Sequence, residues 1–177
     1  KLISQEVNIM AISIKKKFII LGATLVSIAF ITEFLNYQNT NISKKQQLAI
    51  EVTQRHMDAD MKHDGIRGNV YSALLAAKTG DSDLLKSSQE EVKIMSEEFA
   101  KNVEENIVAD IPSDIKTQLE KVKKSVASYT SFSNKITTAA NDFDKALPML
   151  PEFEKYFGIL EEDQGKASEM FLTWSSA

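Results

Sequence analysis

The sequence has no cysteine and little proline or glycine, with three prolines and six glycines in 177 residues. The absence of cysteine excludes disulfides, thiolate metal ligands and thiol catalysis. Scarce proline and glycine favour long helices, because both residues destabilise a helix interior. The formal net charge of -4 argues against nucleic acid as a partner, since nucleic acid requires a basic face. We therefore predict an all-α protein that does not bind nucleic acid.

A single long apolar run stands near the N-terminus, at residues 18–35, and no charge interrupts it before Glu33. A transmembrane helix needs roughly 20 apolar residues, with a lower limit of about 17, and this run lies near that limit. Lys15, Lys16 and Lys17 precede the run, so the positive-inside rule places the N-terminus in the cytoplasm. A cleaved signal peptide is the alternative, but no small-residue cleavage site follows the run.

These features divide the sequence into three parts. Residues 1–17 are expected to form a cytoplasmic leader, in which Met10 would make a natural start. Residues 18–35 are expected to span the membrane, and residues 36–177 to form a domain outside it. Because the last predicted helix heads back toward the membrane, we expect a second spanning helix beyond Ala177 and a longer protein.

The domain outside the membrane is predicted to be an antiparallel, up-down four-helix bundle. The first helix should continue from the membrane to Ala77, and turns are expected at Gly80, at Pro112 and around residues 148–151. Ser113 is expected to cap the third helix. Two helices carry apolar residues at alternating steps of four and three, the spacing of bundle packing. These are Ile115, Leu119, Val122, Val126, Tyr129, Ser133, Ile136, Ala140, Phe143 and Leu147 on the third, and Phe153, Phe157, Leu160, Gln164, Ala167, Phe171 and Trp174 on the fourth.

The first helix carries a stripe that changes from polar to apolar along its length: His56, Asp60, His63, Arg67, Val70, Leu74 and Ala77. A neighbouring stripe can face the core, namely Leu48, Val52, Arg55, Ala59, Lys62, Ile66, Ala73 and Ala77. The polar stripe is therefore expected at the edge of the core or against a second subunit. Charges on a packing face are unfavourable unless they are paired.

Three interpretations of the polar stripe remain open. The side chains can form a self-satisfied ion network or a solvated face, because Asp60 reaches His56 and His63 at helical spacing and Asp64 reaches Arg67. They can instead form a pocket in which Arg67, with Arg55, binds a small anion such as a carboxylate through two parallel hydrogen bonds. A weaker alternative is a metal site built from His56, Asp60 and His63.

The predicted ligand-binding residues are Arg67, Arg55, His63, Asp64, Asp60, Tyr71 and Gln164. Gly65 and Gly68 flank Arg67 and suggest close approach of a backbone or a ligand. Gln164 is the one polar residue on the stripe of the fourth helix, and counting from the turns places it near the height of Arg67. Its alternative role is to fix the register of the bundle.

The segment from Met57 to Val70 is similar to a signature of bacterial methyl-accepting chemotaxis proteins, Met-Asp-x-x-His-Asp-x-Ile/Leu-Arg-x-Asp-Val. Asn69 replaces the usual aspartate, and an extra residue or two separates Met57 from His63. The basic leader, single anchor and four-helix domain also resemble the sensory half of these receptors. The resemblance implies a homodimer in the bacterial inner membrane, a periplasmic sensor and a missing cytoplasmic signalling region.

The predicted function is ligand sensing across a membrane, without enzymatic activity or a cofactor. The same type of sensor precedes histidine kinases and cyclases, so the output is not determined by this half. A membrane-anchored structural bundle without a ligand is the other alternative. An enzyme is disfavoured because the sequence shows no nucleophile–base motif, phosphate-binding loop or dense metal motif.

Overall fold

The structure is a computed structural model that describes residues 14–176, and within them it is all-α. Helix α1 covers Ile14–Thr79, α2 covers Ser82–Val108 and α3 covers Ser113–Ala139. A short helix α4, Phe143–Ala146, and a 3₁₀ turn, Leu147–Met149, lead into α5, Leu150–Ser175. The all-α prediction is confirmed for these residues.

The chain divides into two compact units, residues 1–46 and residues 47–177. This division falls after the predicted boundary at residue 36. In the first unit, the described part of α1 exposes its large apolar side chains, including Phe18, Ile20 and Phe30. This helix is long and apolar enough to be one candidate membrane span by length and composition, a test that signal sequences also pass. The predicted leader lies almost entirely outside the described residues.

The second unit has a hydrophobic core to which α1, α2, α3 and α5 all contribute. On α3 the predicted stripe is buried from Ile115 to Ala140, and on α5 from Phe153 to Phe171. Aromatic side chains provide much of this core, with Phe99, Tyr129, Phe153 and Phe171 among the largest fully buried residues. Burial of such side chains is the main stabilising contribution to packing of this kind.

Contacts between helices follow a regular order along the second unit. Val52 and Gly65 on α1 approach Asn106 and Met95 on α2, respectively. His56 and Arg67 on α1 contact Ser168 and Glu154 on α5. In each pair of helices, residues later in one helix contact residues earlier in the other. The same reversal relates α2 to α3 and α3 to α5.

The turn after α1 forms as predicted. Gly80 has φ 75°, in the left-handed region that glycine occupies without steric penalty. Asp81 then caps α2, because its carboxylate accepts a hydrogen bond of 3.0 Å from the backbone N–H of Leu84. These two residues end one helix and begin the next within a few positions.

Two details of the predicted turns are wrong. Ser113 was expected to cap α3, but Pro112 occupies the cap position and Ser113 is already helical. The third helix was expected to continue to Leu147, but it ends at Ala139, and Leu147 is exposed. Asn141 and Asp142 favour this earlier break, since their side chains compete with helical hydrogen bonds; the amide of Asn141 donates to the Thr138 carbonyl.

The prolines near residue 150 therefore begin helical segments instead of forming the turn. Pro148 lies at the start of the 3₁₀ turn and Pro151 in the first turn of α5. A proline is tolerated there because the first N–H groups of a helix have no intrahelical acceptor.

Candidate functional site

The site is centred on an ion pair between α1 and α5. Arg67 donates from Nε to Oε1 of Glu154 over 3.2 Å and from Nη2 to Oε2 over 2.7 Å. These two parallel bonds are the bidentate geometry that guanidinium prefers with a carboxylate. The Tyr71 hydroxyl, one turn after Arg67, donates a third bond of 2.8 Å to Oε1. Three donors on α1 thus hold one carboxylate of α5.

The guanidinium of Arg67 lies over aromatic rings. The Cζ atom of Arg67 lies 4.2 Å from the centre of the Phe157 ring and 5.9 Å from that of Tyr71. Phe157 stacks in turn on His63, with ring centres 4.0 Å apart. Tyr129 of α3 packs edge-on against His63 and donates a hydrogen bond of 3.0 Å to its backbone carbonyl. The position of Arg67 is therefore fixed by packing as well as by Glu154.

The ion pair lies at the surface of the core and is open to solvent. The side chain of Arg67 is 39% exposed and that of Glu154 is 29% exposed. Partly exposed pairs contribute little net stability, because water competes for both charges. Glu154 raises the pKa of the Arg67 guanidinium through its hydrogen bond. The pKa of the Tyr71 hydroxyl is raised mainly by burial and, to a smaller extent, by its hydrogen bond to Glu154. Both groups remain hydrogen-bond donors at neutral pH.

Both histidines lie in the core, which corrects the prediction that the polar stripe stays at its edge. His56 is buried against Phe171, and its Nε2 lies 2.7 Å from the Ser168 hydroxyl. His63 is buried under Phe157, and its Nε2 has no hydrogen-bond partner among the described residues. Burial lowers the pKa of each imidazole, so both are neutral at pH 7. Arg55 and Lys62, expected on the core face, are instead half-buried.

Gln164 lies in the core as predicted, but its amide is unpaired there among the residues that the structure describes. It is only 1% exposed, and neither its amide nitrogen nor its amide oxygen has a partner within the described part of the chain. It does not lie at the height of Arg67. Glu154, which Arg67 contacts, precedes Gln164 by almost three turns of α5, or about 15 Å. The predicted height of Gln164 was wrong because it was measured from Pro151, whereas the turn forms earlier, between Ala139 and Phe143.

The structure brings together only some of the predicted ligand residues. Arg67, Tyr71 and His63 belong to one cluster. Arg55 precedes Arg67 by more than three turns, about 18 Å, and its nearest ion-pair partner is Glu51 at 4.0 Å. Asp60 and Asp64 are exposed, and Arg67 pairs with Glu154 instead of Asp64.

The metal alternative is not supported by the geometry. His56 contacts Ser168, His63 stacks on Phe157, and Asp60 is directed to solvent. Within residues 14–176, no group of three or more histidine, aspartate or glutamate side chains is placed to hold a metal ion. The three residues have the helical spacing that suggested the site, but each side chain lies in a different environment.

The flanking glycines have different environments. A Cβ added to Gly65 would come within 2.9 Å of Sδ of Met95 on α2, so this position does allow close packing. A Cβ added to Gly68 would meet nothing within 4 Å. The expected close approach is thus found at Gly65, where a side chain makes it.

Sequence reasoning missed the two most important partners of Arg67. Phe157 was assigned only to the core stripe, and Glu154 was not singled out. Glu154 follows the buried Phe153 directly and is one of many acidic residues near α5. Only the register between α1 and α5 distinguishes it, and a single sequence does not give that register.

Comparison with known protein-family models, curated proteins and solved structures found no match to this chain. The class that the fold defines is an all-α protein with one candidate membrane span and a half-exposed arginine–carboxylate cluster. The resemblance to chemotaxis receptors rests on the residues of the sequence alone.

Proposed function

We propose that this protein is the ligand-sensing part of a transmembrane chemoreceptor that transmits a small-molecule signal across the bacterial inner membrane. The observation that carries the proposal is the Arg67 cluster. A guanidinium is held on aromatic rings, beside a tyrosine hydroxyl, in a geometry that binds a carboxylate and is open to solvent. Such preorganised donors recognise small organic anions.

The proposed architecture is an antiparallel up-down four-helix bundle behind a membrane anchor. The reversed order of contacts between successive helices supports the bundle. The exposed apolar side chains of residues 18–35 support the anchor, and Lys16 and Lys17 before them favour a cytoplasmic N-terminus. With that orientation the bundle is periplasmic.

The proposed ligand is a small carboxylate bound by Arg67 and Tyr71, with His63 supporting the site beneath Phe157. Thermal-shift screening of the full chain in detergent micelles against organic acids, amino acids and divalent metals would identify the class. Substitution of the site then tests whether the cluster carries the response.

Arg67→Ala should weaken binding of the carboxylate found in that screen by roughly tenfold or more. A charge-assisted bidentate contact contributes about 1.5–3 kcal/mol, and each 1.4 kcal/mol is a factor of ten. Arg67→Lys should restore only part of the affinity, because an ammonium lacks the planar pair of donors. Isothermal titration calorimetry of the three proteins measures the effect.

Arg55→Ala is the matched control, since it removes the same charge from the same helix about 18 Å away. It should leave the affinity nearly unchanged. Equal losses of affinity in the two variants would show that Arg67 attracts the carboxylate only through long-range electrostatics and not through direct contact. Loss of helical circular dichroism in Arg67→Ala would instead identify a structural ion pair and favour the anchored bundle without a ligand.

The proposed partner is a second copy of the chain, docked along α1. Exposed apolar side chains lie along one face of α1, at spacings of 4, 7 and 10 residues that combine helical steps of three and four. They are Ile50, Met57, Met61, Tyr71 and Leu75. Because Gln54, Asp64 and Gly68 interrupt this stripe, association should be weak. Sedimentation of the full chain in micelles should show a monomer–dimer equilibrium, and a strict monomer at high concentration would contradict the proposal.

A further inference from the structure

The carboxylate of Glu154 already occupies the position that a carboxylate ligand would take. It accepts both parallel bonds from Arg67 and one from Tyr71, which together are the donors of the proposed site. A ligand carboxylate therefore cannot make these bonds while Glu154 keeps them. Yet the guanidinium would stay in place after an exchange, because the Phe157 ring supports it at 4.2 Å independently of Glu154.

We propose that Glu154 is an internal competitor for the ligand site, and that a carboxylate binds by displacing it from Arg67 and Tyr71. This inference rests on the proposed function. The exchange keeps the number of hydrogen bonds to Arg67 and Tyr71 unchanged, while Glu154 moves into solvent. The partial exposure of both side chains makes that exchange possible without opening the core.

The exchange also gives the ligand a defined structural consequence. The bonds from Arg67 and Tyr71 to Glu154 join α1 to α5, and an incoming carboxylate would satisfy α1 alone. Ligand binding and this α1–α5 link are then mutually exclusive. A ligand shifts an equilibrium only through such a difference in affinity between two states.

Competition lowers the apparent affinity by the fraction of molecules in which Arg67 is free. If the internal pair is formed in about nine molecules of ten, removing it should raise the apparent affinity roughly tenfold. The effect should extend to any small carboxylate, because the competing group is itself a simple carboxylate. Selectivity among ligands would come from other contacts.

The experiment uses the full chain in detergent micelles and titrates acetate and succinate as probes. The sequence has two arginines, Arg55 and Arg67, so the ¹⁵N–¹H signals of their Nε groups give one reporter and one internal reference. Glu154→Gln is compared with the wild type. Glu152→Gln removes the same charge from an exposed position on α5 and is the matched control.

The expected result is saturation of the Arg67 signal at roughly tenfold lower probe concentration in Glu154→Gln than in the wild type or Glu152→Gln. Equal saturation in all three proteins would overturn the competition while leaving the carboxylate site intact. Equal tightening in both variants would also overturn it, because it would reflect net charge alone. No shift of the Arg67 signal in any protein would overturn the carboxylate site and this inference with it.

Discussion

Gln164→Met should stabilise the protein, with a free energy of unfolding about 1–3 kcal/mol higher than that of the wild type. Gln164 buries both polar atoms of its amide without a partner among the described residues. An unsatisfied buried polar group typically costs about 1–3 kcal/mol. Methionine has a similar length and no branching, so it can fill the same space with little repacking. Chemical unfolding of the full chain in micelles, followed by fluorescence of Trp174, measures the difference.

Gln118→Met provides the matched control on α3. The Gln118 amide is also buried, but its Nε2 donates a hydrogen bond of 2.9 Å to the backbone carbonyl of Asp163. The same substitution should therefore destabilise the protein by about 1 kcal/mol. Destabilisation by both substitutions would show that the Gln164 amide is hydrogen-bonded in solution. In that case its polar character, and not its shape, would be what the core requires.

Acidification should destabilise the protein through its two histidines. Burial lowers the pKa of His56 and His63 below the ordinary value of 6.5, opposed for His56 by Asp60 and for His63 by Asp64, Asp60 and Glu161. The unfolded chain then binds protons at a higher pH than the folded chain. The free energy of unfolding should fall as the pH drops below about 6.5 toward the folded-state pKa values, and the histidines should contribute no slope well above it.

The double variant His56→Gln with His63→Phe tests this assignment. These are the only histidines of the sequence, so the variant should lose the slope between about pH 7 and about pH 5, a window above the ordinary pKa values of carboxylates. Urea unfolding at several pH values in that window measures it. A slope that persists in the double variant would assign the acid sensitivity to other groups, such as perturbed carboxylates.

The helices and most of the core could be predicted from the sequence because their signals are local. The alternating steps on α3 and α5 depend only on spacing along one helix, and every predicted position from Ile115 to Ala140 and from Phe153 to Phe171 is buried. The turn at Gly80 was equally local, since glycine followed by aspartate ends one helix and caps the next.

The site was harder to predict because it depends on register between helices. Arg67 was identified from its own surroundings in the sequence, but its partner Glu154 lies 87 positions away. The turn before α5 forms near residues 140–142 instead of 148–151, and this difference put Gln164 at the wrong height in the prediction. The burial of His56 and His63 was also missed, because polarity alone placed them at the edge. In the structure His63 stacks on Phe157, and His56 packs at a tilt against Phe171.

Two hydrogen bonds from side chains reach the main chain of α1 and restrict how that helix can slide. Asn106 of α2 donates to the Val52 carbonyl over 3.1 Å, and Tyr129 of α3 donates to the His63 carbonyl. Gln118 joins α3 to the main chain of α5 in the same way. Translation by one residue, about 1.5 Å, would misalign these bonds in a buried setting. Motion of α5 relative to α1 is therefore easier as a tilt or a rotation, with α3 as the fixed reference, than as axial sliding.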